Sequence, residues 1–270
     1  MAEKNAYILG TNAQELHRLG IQHQVWASES QTGWKRANFN AGQTILDLGS
    51  GPGFCAQELA YLTGSSGKII AIDKSPSYID HIQKLAKLHE LNIEAICTDF
   101  DSMQLIPNSL DGMYCRWALA WVPKPKEVLA KVIDALKPGG KIVIHEYYDW
   151  SSHQTEPPLP NLSKAIKAAY QSLESSEGEL NIGRYLPSIL NDMGMTVTGY
   201  RLISKLATPT SFDWQWPKSF YESYFPRIAE IGLLTEKEVD SALKDLLQLE
   251  NTNGSSICCP LMLEIIAEKK

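Results

Sequence analysis

The sequence predicts an α/β fold: a doubly wound, mostly parallel, seven-stranded sheet carrying helical cap insertions. Three observations lead there. Apolar strand-like runs alternate with amphipathic helix-like segments from 44 to 146. A glycine-rich turn, Asp47-Leu48-Gly49-Ser50-Gly51-Pro52-Gly53, joins the first of these strands to the first helix. After Glu146 the alternation gives way to proline-rich and aromatic-rich stretches, then to two last strand patterns.

Taken in order, residues 12–27 read as an amphipathic helix, with Asn12 able to cap it and Glu15 at the capping-box position. Leu16, Leu19, His23 and Trp26 share one face. Strands are expected at 44–48, 68–73, 94–98, 112–118 and 141–146, with helices at 54–63, 76–90 and 125–136 between them. The third helix stops at Lys137-Pro138-Gly139-Gly140, where proline and glycine turn the chain. Right-handed crossovers then give a sheet covered on both faces, and ligands of such sheets sit at the carboxyl ends of the strands. Further helices are expected at 162–173, 183–193 and after Thr235, and strands at 196–206 and 257–267. The whole chain, 1–270, reads as a single domain with insertions at about 149–180 and 208–255.

Composition narrows the function. With 44% hydrophobic residues, 21% charged residues and net charge −6, the chain suits a well-packed protein and not a phosphate-binding surface, so no nucleic-acid partner is expected. No apolar run approaches the roughly 20 residues of a membrane span. Met1-Ala2-Glu3-Lys4 leads into polar sequence, so a cytoplasmic protein without a secretory leader is expected. Five cysteines lack any Cys-x-x-Cys spacing, and Cys258 and Cys259 are adjacent on a strand, so no metal site is expected.

The strand ends carry the chemistry. Glycines at 49, 51 and 53 let a ligand approach the backbone ahead of a helix N-terminus. The dinucleotide fingerprint would need a glycine at Phe54. Asp73 ends the second strand about 20 residues on, where an acid accepts from ribose hydroxyls. Asp99 and Phe100 end the third, offering a carboxylate for an amine and a ring for stacking. The fourth runs through Cys115 and Arg116 to Trp121. The fifth ends His145-Glu146-Tyr147-Tyr148, where His145 or Glu146 is a candidate general base, although neighbours on a strand face opposite sides.

Asp-x-Gly-x-Gly-x-Gly, followed by the acids at 73 and 99, resembles the class I S-adenosylmethionine-dependent methyltransferases over about 44–146, and the seven-strand plan extends the likeness. The resemblance implies a Rossmann-like fold, S-adenosylmethionine as methyl donor and S-adenosylhomocysteine as product, with no metal. It implies a small-molecule acceptor methylated on oxygen or nitrogen, by a monomer or homodimer. Cofactor contacts would fall on Asp47, Gly49, Ser50, Gly51, Asp73, Lys74, Asp99 and Phe100, with Cys115 and Arg116 near the methionine part. The N-terminal helix would form a lid whose Tyr7 or Gln22 reaches the amino-acid end, and Trp121, Tyr147 and Tyr148 would line the acceptor site. The Asn/Asp-Pro-Pro-Tyr signature of amino methylation is absent. A nicotinamide-dependent oxidoreductase and a noncatalytic adenosine-binding module stay open as alternatives.

Overall fold

A computed structural model describes residues 13–270. The elements run α1 (Ala13–Arg36), β1 (Thr44–Leu48), α2 (Phe54–Thr63), β2 (Lys68–Asp73), α3 (Pro76–Leu88), β3 (Ile93–Cys97), β4 (Leu110–Arg116), α4 (Pro125–Ala135) and β5 (Leu136–Asp149). They continue β6 (Gln154–Glu156), α5 (Pro160–Glu174), α6 (Leu186–Asp192), β7 (Met195–Ile203), β8 (Leu206–Ala207), α7 (Gln215–Glu230), α8 (Glu236–Glu250), β9 (Ser256–Cys258) and β10 (Leu261–Lys269). No helix among the described residues is long and apolar enough to cross a membrane.

The chain resolves into two compact units. The larger comprises Trp26–Tyr148, Glu177–Ile203 and Met262–Lys270. Its seven-stranded sheet has the order β3-β2-β1-β4-β5-β10-β7. The pairs β1–β2, β2–β3, β1–β4 and β4–β5 are parallel, and β10–β7 is antiparallel. This is the expected doubly wound sheet. The order reverses between β1 and β4, which places the switch point at their carboxyl ends.

Period-two alternation sends each strand's side chains into two cores. Leu46, Leu48, Met113, Cys115, Ile142 and Ile144 pack on the face covered by Val128, Leu129 and Val132 of α4. Ile45, Tyr114 and Val143 face the other way, against Trp34 of α1, Leu59 of α2 and Ile79 of α3. The helices start where the sequence provides starts. Pro76, Pro125 and Pro160 occupy first-turn positions, and Ser75 caps α3 by accepting from the Tyr78 amide.

The smaller unit comprises the chain up to Val25, Asp149–Ser176 and Ser204–Leu261. It holds α5, α7 and α8 and a three-stranded sheet ordered β6-β9-β8. A Thr235–Glu238 capping box opens α8, as its spacing predicts. Within this unit the aromatics fill a core: Tyr221 stacks on Phe225 with ring centroids 4.9 Å apart, and Trp150 stacks on Tyr170 at 5.5 Å. His153 is enclosed between the Tyr221 hydroxyl at 2.7 Å and the Cys258 carbonyl at 2.8 Å, and burial pushes its imidazole down to about 4.

Three expectations need correction. The first helix does not end at 27 but continues to Arg36; the Asn12 cap lies outside the described residues. The strand expected at 257–267 is two strands, because Pro260 has no N–H to donate and Cys259-Pro260 breaks the run. The three-stranded sheet was not foreseen, since β6 and β8 are only three and two residues long.

Candidate functional site

The turn after β1 is built by glycine. Gly49, Gly51 and Gly53 all have positive φ, at 73°, 53° and 86°. Two of them are also packing positions. A Cβ on Gly49 would stand 2.4 Å from the Ala118 Cβ and 3.4 Å from the Phe100 ring; one on Gly53 would stand 2.4 Å from the Ile82 side chain. Gly51 differs, because a Cβ there meets nothing within 4 Å. Ser50 and Gly49 amides both donate to the Ile72 carbonyl at 2.9 Å, which fixes the loop on β2.

Asp73 ties this turn to the next. One carboxylate oxygen accepts from the Gly51 amide and the other from the Ser75 amide, each at 2.9 Å. Lys74 beside it is exposed. Asp47, next to last in β1, is buried, and burial lifts its carboxyl to about 7 against the pull of Arg116. Asp47 Oδ2 and the Ser50 hydroxyl are enclosed with no hydrogen-bond partner among the described residues. Two orphaned polar atoms beside an open glycine form a cradle suited to a polar ligand. Asp99 is exposed at the end of β3, and Phe100 is half-buried with its ring over Gly49.

The ends of β4 and β5 are filled instead. Arg116 donates to Ser30 Oγ at 2.9 Å, and its guanidinium lies 5.3 Å from the centroid of the Trp117 ring. Trp117 has φ of 54°, a strained value for a bulky residue; it stacks on Tyr147 at 5.6 Å and meets Trp26 edge-on at 5.4 Å. Trp121 donates from its indole to the Trp117 carbonyl at 2.7 Å. Tyr148 is half-exposed beneath Arg184, whose guanidinium lies 5.6 Å from its ring. Cys115 points into the core, and burial raises its thiol well above the ordinary range.

His145 and Glu146 face opposite sides, as strand geometry requires, and neither is exposed at all. His145 lies between the Tyr114 hydroxyl at 3.2 Å and Glu264 at 3.1 Å. Burial lowers its imidazole; burial alone would raise Glu264, but bonds from His145 and Arg201 hold it down to about 2. Glu146 Oε1 accepts from the Ala118 and Leu119 amides at 2.8 and 2.7 Å, organising the chain after β4, and burial lifts its carboxyl to about 8. Both candidate general bases are thus enclosed, His145 with both ring nitrogens engaged and Glu146 with Oε2 unpartnered among the described residues. Gln22 lies in the smaller unit, where its carbonyl accepts from Arg18 and from the Trp216 indole, each at 3.0 Å. Tyr7 lies outside the described residues.

A family model described as a methyltransferase domain matches residues 39–197, more than half of the chain. The chain belongs to the class I S-adenosylmethionine-dependent methyltransferase family. Its domain is similar to demethylmenaquinone methyltransferase of Lactococcus lactis, 26% identical over 196 residues that cover 67% of this chain and 75% of that one. The solved structure of a methyltransferase from Bacillus halodurans superposes with a TM-score of 0.61 at 13% identity, covering 90% of this chain and 99% of that one. A geranyl diphosphate C-methyltransferase of Streptomyces coelicolor, solved with S-adenosylhomocysteine, gives 0.58 at 12% identity, covering 92% and 80%. The chain aligns with only 19% and 44% of the length of two further curated relatives.

One segment of this methyltransferase domain escaped the sequence reading. Residues 177–184, expected to belong partly to an insertion, lie against the strand ends: a Cβ on Gly178 would stand 2.0 Å from the Ala120 carbonyl, and one on Gly183 2.6 Å from the Tyr147 carbonyl. The glycines were the available signal, but two scattered glycines in a polar loop read as ordinary turn residues. Ser30 and Glu264 were likewise missed, and Trp26 was read only as a packing residue, because each sits within a helix or strand pattern that core packing explains equally well.

Proposed function

We propose that this chain transfers the methyl group of S-adenosylmethionine to a small organic acceptor. The observation that carries this reading is the cradle at Gly51, open where Gly49 and Gly53 are closed, with Asp47 Oδ2 and Ser50 Oγ enclosed and unpartnered beside it. Those residues fit the amino-acid part of the cofactor, which brings an ammonium and a carboxylate. Arg116 would meet the carboxylate, Asp73 the ribose hydroxyls, and Asp99 and Phe100 the adenine. When bound, the cofactor supplies an electrophilic methyl group on a sulfonium. The residues at the strand ends then bind, align and exclude water, which contributes most when no proton needs removing.

Oxygen or nitrogen is the favoured acceptor atom, since either carries its own lone pair and both titratable residues at the end of β5 are enclosed. Trp121, Tyr147 and Tyr148 are the aromatic candidates to line its site, and because Tyr147 and Tyr148 are neighbours on β5 only one of those two would face it directly. A carbon acceptor is the second reading, supported by relatives named as C-methyltransferases. The missing glycine at 54 weighs against a nicotinamide cofactor.

Parallel calorimetric titrations with S-adenosylmethionine, S-adenosylhomocysteine and NAD test the reading. Micromolar binding of the two sulfur compounds and not of NAD is expected. Binding of NAD alone would overturn it. Incubation with methyl-labelled cofactor and panels of amines, phenols and carbon acids then separates the acceptor atoms, and binding without any transfer would favour the noncatalytic module.

A further inference from the structure

Arg116 is held from a direction that motif I does not explain. Tyr114, Arg116 and His145 share one face of the sheet, since Arg116 is in register with His145 and Tyr114 lies two residues before it. That face meets the second half of α1. There Ser30, fully buried, offers a single oxygen that accepts from two donors: Arg116 Nη1 at 2.9 Å and the Tyr114 hydroxyl at 2.8 Å. Its own hydroxyl donates back to the Trp26 carbonyl one turn earlier, at 3.3 Å. Behind Tyr114 the contacts continue through His145 to Glu264, which Arg36 and Arg201 pair from outside. Every member of this row from Ser30 to Glu264 is enclosed, so the oxygen that Arg116 meets has no freedom to wander. A serine on a buried helix face costs about the desolvation of a hydroxyl unless its bonds are used. Here all of them are.

We infer that Ser30 is a positioning residue: buttressed by Tyr114, it fixes the direction of the Arg116 guanidinium beside the cofactor cradle. This rests on the proposed role of Arg116 toward the cofactor's carboxylate. Ser30 touches no substrate itself and acts only through Arg116.

The test is S-adenosylhomocysteine affinity by calorimetry for wild type, Ser30→Ala, Tyr114→Phe, Arg116→Met and the Ser30→Ala/Arg116→Met double variant, with melting curves as a check on folding. Ser30→Ala should weaken binding about 5- to 10-fold and Tyr114→Phe about 2- to 3-fold, the sizes expected for one misdirected charge-assisted hydrogen bond and for one lost buttress. In the Arg116→Met background Ser30→Ala should change nothing, which a general loss of packing would not reproduce. Wild-type affinity in Ser30→Ala, or losses that multiply in the double variant, would overturn the inference alone. Wild-type affinity in Arg116→Met, or no binding by wild type, would strike the functional reading and take the inference with it.

Discussion

The turn after β1 and the end of β5 lie at the same edge of one sheet, yet they are made in opposite ways. The turn is built from missing side chains: three glycines with positive φ, two closed against Ala118 and Ile82 and one left open, with two polar atoms enclosed and unused. The end of β5 is built from large polar side chains with bonds to the protein, His145 to Tyr114 and Glu264, Glu146 Oε1 to the Ala118 and Leu119 amides, while Glu146 Oε2 is enclosed without a partner among the described residues. A polar atom that the fold leaves unsatisfied beside open space is a candidate for a ligand, whereas His145, bonded through both ring nitrogens, is engaged by the fold.

The largest effect should come from breaking the turn. Asp73→Ala removes the acceptor that both the Gly51 and Ser75 amides share, and with it the proposed ribose contact. Loss of two charge-assisted bonds predicts at least about 100-fold weaker S-adenosylhomocysteine binding by calorimetry. Retained affinity would mean that Asp73 holds the loop but meets no ligand.

Filling the cradle comes next and separates the glycines from one another. Gly51→Ala adds a methyl to open space at a φ of 53°, so stability should fall by only the backbone strain of about 1–2 kcal/mol, with a correspondingly small drop in melting temperature, while affinity drops about 10-fold. Gly49→Ala meets the Ala118 Cβ at 2.4 Å and should lower the melting temperature more. Equal melting losses in the two variants would erase the distinction between an open and a closed glycine.

At the rim the effect shrinks. Asp99 is exposed, so water and salt screen its carboxylate. Asp99→Ala should weaken S-adenosylhomocysteine about 2- to 3-fold, less at high salt, as an equilibrium titration at two ionic strengths would read. A loss as large as that of Asp73→Ala would place Asp99 deeper in the site than its exposure allows.

These differences mark what the sequence could convey. The sheet was legible because strand and helix periods differ and because Pro76, Pro125 and the Lys137-Pro138-Gly139-Gly140 stop punctuate them. The cradle was legible because alternate glycines have few structural excuses. The burial of His145 was not legible because its partner Glu264 lies 119 residues away, on a strand whose neighbours in the sheet no local pattern discloses. Ser30 was invisible, and Trp26 readable only as one of a packing face, for the same reason: a long helix looks alike whether its face meets solvent, core or an arginine. The split of the last strand at Pro260 was readable in principle, but a proline near a strand end is compatible with an edge as well as with a break.

The smallest change in binding should come from Glu146→Gln, and its value lies in the pH axis. Glutamine keeps an acceptor for the Ala118 and Leu119 amides, so affinity for S-adenosylhomocysteine should stay near wild type. In the folded protein burial lifts the Glu146 carboxyl from 4.5 to about 8, so between those values the folded state holds a proton that the unfolded chain has released. Stability due to this group is therefore greatest below the unfolded value and declines as pH rises through the window. The variant has no such proton. Melting temperatures measured across the same window should show wild type losing ground to Glu146→Gln as pH rises, with the two closest at the acid end. Parallel curves would mean that Glu146 ionises in the fold at its ordinary pH, and that the end of β5 holds a usable carboxylate after all.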